Sequence, residues 1–198
     1  MHTIAKPFYY STLPNLPHPP ERFVEAISLD PNDFPTTSPF HEVRVRFCRR
    51  QGKQFLASPS VRAELPADLQ SEFEQWVRDN IISEFVHAGV NYRHFNADTG
   101  GIHTDTSRQF SLTYNIDNGG PNAGITWWRE KNKPLLRESG VQILDFDLVD
   151  PVMDFRGYEQ GWFFHDARIL HSTEGIERPR VQFQVSLNLD QVPPHWFD

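Results

Sequence analysis

The stretch "GGIHTDTSRQF", residues 100–110, sets an imidazole and a carboxylate two positions apart, at His103 and Asp105. On an extended segment, residues i and i+2 point to the same face. Both side chains can then address one small target. A neutral imidazole nitrogen with a carboxylate oxygen suits a first-row divalent metal, and a catalytic metal needs a third donor and open positions besides. Taken alone, the pattern fits an Asx-type turn between strands equally well. Nine histidines are available. His2, His18 and His195 lie in terminal regions, and His41 and His87 stand at element ends without an acidic partner in useful spacing. His94 alternates with Tyr92 and Asn96 on a strand that runs close to the site. His171 follows the apolar run "ARIL" and precedes a glycine turn and the final strand, which makes it the preferred third donor. His165, at the end of "GWFFHD", is its competitor. Arg180 stands nine residues after His171, and a hairpin of that length returns its side chain to the space that His171 enters. A buried arginine requires an anion, and its planar fork pairs best with a carboxylate.

The elements that must position these residues are mostly strands. "VNYRHFNA", "RQFSLTYNID", "AGITWWRE", "VQILDFDLV", "GWFFHD" and "RVQFQVSLNLD" are separated by turn signals such as "DTGG", "DNGGPNAG" and "EGIERP". In the last strand Val181, Phe183, Val185, Leu187 and Leu189 share one face. Gln182, Gln184, Ser186 and Asn188 share the other with Arg180. A polar face holding a single arginine fits the lumen of a small barrel that binds an anion. Ser111, Thr113 and Asn115 oppose Phe110, Leu112, Tyr114 and Ile116 in the same way. The apolar faces need cover. The helical pattern over 64–82, with Leu65, Leu69, Phe73, Trp76, Val77 and Ile81 on one stripe, supplies it. "HEVRVRF" (41–47) alternates as a half-buried strand. Residues 1–40 hold half of the sixteen prolines and six aromatics. They read as extended chain wrapped on the domain, with a short helix near 20–27. The expected architecture is mainly β (α+β). It is one domain over 1–198 with a two-sheet, cupin-like jelly roll over 90–190 and helical backing.

Composition agrees with a β-rich fold. Sixteen Phe and five Trp favour sheets, and sixteen Pro disfavour a helical bundle. The formal charge of −7 offers no broad cationic field to a nucleic-acid backbone. Arg44, Arg46, Arg49, Arg50 and Lys53 read as a solvated strand face and its turn. A single cysteine, Cys48, excludes an internal disulfide and a thiolate zinc site. It fits a cytoplasmic protein. The first twenty residues lack a signal-peptide core, and no apolar stretch is long enough to span a bilayer.

"HTD" (103–105), "ILHS" with His171, and "ERPR" ending in Arg180 together resemble the motif of the iron(II)- and 2-oxoglutarate-dependent oxygenases, whose core is a double-stranded β-helix. "WFFHDARILH", the alternating "RVQFQVSLNL" and "YRHFNADTGGIHTD" are similar to the prolyl-hydroxylase-like branch. The resemblance covers about residues 90–190. It implies iron(II) held by His103, Asp105 and His171. It also implies 2-oxoglutarate paired through its 5-carboxylate with Arg180, O2 as co-substrate, and ascorbate as a supporting reductant. The products would be succinate, CO2 and a hydroxylated amino acid, peptidyl side chain or other small molecule. Gln182 departs from the serine of one common subfamily. Arg178 rivals Arg180, but only Arg180 belongs to the alternating polar set. The intact carboxylate of Asp105 argues against halogenation.

Around that set, Asn115, Tyr92 and Tyr114 are candidate co-substrate contacts, with core packing the alternative for both tyrosines. Trp127 and Trp128 point to opposite faces, and Trp128 and Arg129 are candidate substrate contacts. Two other classes remain open: a cupin-like metalloprotein that uses no 2-oxoglutarate, and a non-catalytic β-sandwich binding module.

Overall fold

Period-two alternation broken by short turns divides the described residues into ten strands and two α-helices. These are β1 (Tyr10–Thr12), α1 (Glu21–Glu25), α2 (Ala67–Asn80), β2 (His87–Arg93), β3 (Ile102–His103) and β4 (Phe110–Asp117). They continue with β5 (Gly124–Glu130), β6 (Gln142–Ile143), β7 (Val149–Arg156), β8 (Gly161–Asp166), β9 (His171–Glu174) and β10 (Arg180–Leu187). The computed structural model describes residues 8–27, 65–93, 102–136, 140–143, 145–158, 160–178 and 180–197. The expected strand at 41–47, the basic cluster at 44–53, Cys48 and His94 lie outside the described residues. Among those residues no helix is long and apolar enough to cross a membrane.

The protein is mainly β, with two antiparallel five-stranded sheets ordered β1-β8-β4-β10-β2 and β6-β3-β9-β5-β7. From β2 to β5 the chain alternates between the sheets. It stays in the second for β6 and β7, then alternates again through β8, β9 and β10. In β10, Val181, Phe183, Val185 and Leu187 are buried on the outer side of the first sheet, in one core with Phe110, Leu112 and Tyr114 of β4. The α2 stripe covers that face. Phe73 stacks on Phe183 at a centroid distance of 4.5 Å, and Val77 is fully buried beside it. Pro66 stands at the cap position with φ −47° and ψ 143°, so the helix starts one residue later. The regular alternation of β10 ends at Leu187. Leu189 opens a single 3-10 turn instead.

The other faces of β4 and β10 look toward the second sheet and are buried although polar. Ser111, Thr113, Asn115, Gln182 and Ser186 are nearly inaccessible. Buried polar atoms need partners, and here they find one another. Gln182 Nε2 donates to Asn115 Oδ1, and Gln184 Nε2 to Ser111 Oγ at 3.0 Å.

Residues 8–27 lie along β8 and the core. Tyr10 pairs with His165 in the ladder, Phe23 meets Phe73 edge-on at 5.4 Å, and Trp162 Nε1 donates to the Pro17 carbonyl at 2.9 Å. Trp162→Phe is expected to cost about 1–3 kcal/mol, because it leaves that carbonyl without its donor. The measurement is a urea titration, read as a lower midpoint at unchanged slope. A parental midpoint would show that this bond does not hold the segment.

Candidate metal centre

His103 and His171 are direct partners across the β3–β9 ladder. Their rings lie 4.7 Å apart between centroids. Asp105 sits two residues past His103, just beyond the end of β3. Its Oδ1 lies 3.6 Å from His103 Nε2 and 4.0 Å from His171 Nε2. The donor atoms of the three residues all fall within 4.8 Å of one another. Two metal bonds of about 2.1 Å can span at most about 4.2 Å. Both carboxylate distances fall within that span, so the donor set fits a small divalent cation with a modest contraction.

The protonation states also fit. His171 Nδ1 lies 2.9 Å from the Ile169 carbonyl. A carbonyl can only accept, so Nδ1 carries the hydrogen and Nε2 keeps its lone pair for a metal. Burial, reinforced by the neighbouring His103, pushes the His171 pKa down to about 4, so the ring is neutral at pH 7. Burial alone would raise the Asp105 carboxyl. The close approach of His103 and the charge of Arg108 outweigh it and hold the group well below the usual carboxylate range. A neutral imidazole and an ionised carboxylate are the forms that bind metal.

His165, the rival third donor, is buried on β8 and meets the His171 ring edge-on at 5.3 Å. It is outside the three-donor cluster. Burial, with the nearby His171, drives its pKa well below the ordinary histidine value.

The cluster opens on a pocket between the two sheets. The first sheet contributes Thr113, Phe163, His165, Arg180, Gln182 and Gln184; the second contributes Ile125 and Thr173 beside the histidines. Arg180 is 6% exposed and opens β10 inside the pocket. Arg178, by contrast, is turned outward and pairs with Asp117 at 3.0 Å. The turn between β9 and β10 depends on Gly175, with φ +68°, where any side chain would collide with the Asn122 carbonyl.

The remaining candidates are scattered. Asn115 is buried beside a second pocket that shares Arg180, and its amide donates to the Tyr158 carbonyl at 3.2 Å. Tyr114 faces the outer core instead, with its hydroxyl 2.6 Å from His18 Nδ1. The Tyr92 backbone pairs with Val181, and its side chain lies outside the described residues. On β5 the pocket-lining Ile125 shares its face with Trp127, which packs inward with Phe163 and Ile169. Trp128 points the other way. Its indole donates to Ser172 Oγ at 2.8 Å, and it packs against the Ile102, Ile143, Val149 and Leu170 cluster. Arg129 is exposed. Neither Trp128 nor Arg129 lines the pocket.

Arg108 had no role in the sequence reading. Its Nε donates to Asp105 Oδ2 at 2.7 Å and its terminal nitrogen to Gln184 Oε1 at 2.7 Å. The signals available were its spacing, three residues past Asp105, and the polar face on which Gln184 lies.

No protein-family model matches the sequence, and no curated protein matches it. Among solved structures, the chain has some likeness to a crystal structure of CapF with the inhibitor 3-isopropenyl-tropolone. It matches at 16% identity and a TM-score of 0.26, over 57% of this chain and 26% of that one. A second likeness is to the capsular polysaccharide assembling protein CapF from Staphylococcus aureus, at 16% identity and a TM-score of 0.26, over 58% and 27%. The chain thus spans about a quarter of the length of these structures. An overlap this loose transfers neither a fold nor an activity, so the donor cluster and its pocket carry the functional reading by themselves.

Proposed function

We propose that the protein is an iron(II)- and 2-oxoglutarate-dependent oxygenase that hydroxylates an amino acid, a peptidyl side chain or another small molecule. The observation that carries this reading is the meeting of His103, Asp105 and His171 with the buried Arg180 in one pocket. Two imidazoles and one carboxylate form the donor set of non-haem iron oxygenases. The strand order supports the same reading. Eight strands, β2 through β5 and β7 through β10, divide four and four between the sheets, with the chain crossing at every step but β5 to β7, as in a double-stranded β-helix.

In this reading His103, Asp105 and His171 hold the iron, and Arg180 pairs with the distal carboxylate of 2-oxoglutarate. Bound there, iron and 2-oxoglutarate supply the oxidative chemistry, in which O2 is consumed and succinate, CO2 and hydroxylated product are released. The chain's own residues position and shield. The Ile169 carbonyl keeps the His171 Nε2 lone pair available. Phe163 and Ile125 form an apolar wall of the pocket. Gln182 and Asn115 bond to each other, which fixes the orientation of both amides beside Arg180.

The test is calorimetry of the manganese-loaded protein with 2-oxoglutarate, alongside succinate release with iron(II) and ascorbate. Arg180→Met is expected to weaken 2-oxoglutarate binding at least tenfold, by removing a charge-assisted bidentate partner. Metal binding should persist. No 2-oxoglutarate binding by the loaded parent protein would sink the assignment. Metal-dependent turnover that survives Arg180→Met would point instead to a metalloenzyme without this co-substrate.

A further inference from the structure

Asp105 uses its two oxygens differently. Oδ1 faces both imidazoles, while Oδ2 accepts a short charge-assisted bond from Arg108 Nε at 2.7 Å. The pair is largely shielded, with side chains 15% and 12% exposed, so water competes little for either partner. Arg108 is itself anchored. Its second contact is the Gln184 amide oxygen at 2.7 Å, and the Gln184 nitrogen donates onward to Ser111 Oγ at 3.0 Å. The amide is used at both ends, which fixes its orientation. The result is a tether from a carboxylate beside the second sheet, through Arg108, to β10 and β4 of the first.

From this geometry we infer that Arg108 is a positioning residue for the metal: by occupying Oδ2 it restricts Asp105 to one ligating oxygen. This inference rests on the metal reading above. A carboxylate free to chelate through both oxygens would raise the protein donors from three to four and occupy a position otherwise open to exogenous ligands. Arg108 thereby keeps room at the metal for a two-point anionic ligand. A lysine would keep the charge on Oδ2 but not the fork that also reaches Gln184.

The experiment uses cobalt(II) as a spectroscopic metal and oxalate as a two-point chelating probe, with Arg108→Met, Arg108→Lys and Gln184→Met beside the parent. Circular dichroism checks the fold. Arg108→Met should shift the visible cobalt bands and bind oxalate at least tenfold more weakly. Arg108→Lys should return the bands toward the parent's. Gln184→Met, which releases only the far end of the tether, should give a smaller shift and covers the case in which Arg108→Met does not fold. A folded Arg108→Met protein with parental bands and parental oxalate affinity overturns the inference and leaves the metal site standing. A parent that binds no cobalt overturns both.

Discussion

His171→Ala is expected to lower the affinity for manganese(II) or iron(II) by more than about 100-fold, with metal-dependent 2-oxoglutarate binding lost alongside. Loss of an outer partner of a metal ligand already costs about 10- to 100-fold, so loss of the ligand itself should exceed that. A 100-fold loss is about 2.7 kcal/mol. No spare donor stands ready among the described residues. Among the described residues, the acidic and histidine groups close enough to share an ion are His103, Asp105 and His171. His165, though 5.3 Å from the His171 ring between centroids, belongs to the first sheet and stacks on Phe163 at 5.7 Å.

The same titration run on His165→Ala separates the two histidines that the sequence left in competition. That variant should keep metal affinity within about tenfold of the parent, because its ring stands outside the cluster. The opposite outcome, parental affinity in His171→Ala and collapse in His165→Ala, would move the third donor to β8. It would also detach the metal from the β3–β9 pair on which the proposed chemistry depends.

What could be read from the sequence was whatever depends on local period. The polar set Ser111, Thr113 and Asn115 and its counterpart Gln182, Gln184 and Ser186 follow from alternation alone, since one ladder places them all on one face. The Phe73 and Val77 stripe follows from helical spacing. What could not be read depends on register between distant strands. Arg108 reaches Gln184 across 76 positions, a contact fixed only once β10 lies beside β4. Trp128 is a failure of the same kind. Alternation separates it from Trp127, but only the sheet's placement says which face looks into the pocket, and a register shift falls between the two residues. Tyr114 was open to either role until its hydroxyl met His18, 96 residues away.

The metal-free protein should lose stability on mild acidification, by about 2 kcal/mol between pH 7 and pH 5 and about 3 kcal/mol by pH 4, from His171 alone. Its imidazole titrates at about 4 in the folded chain against 6.5 ordinarily. Between those values the unfolded chain binds the proton that the folded chain refuses, so stability falls as pH falls. The contribution is complete above pH 6.5 and lost as pH drops toward 4. His165, depressed mainly by burial, adds in the same direction. Asp166, whose carboxyl burial raises, works against them. Urea titrations at pH 7, 6 and 5 in the presence of a chelator measure the slope. His171→Leu should flatten it, leaving the His165 share. A stability that stays constant from pH 7 to pH 5 in the parent would mean that the buried imidazoles take up protons as readily folded as unfolded. In that case neither is held as the neutral ring that a metal ligand must be.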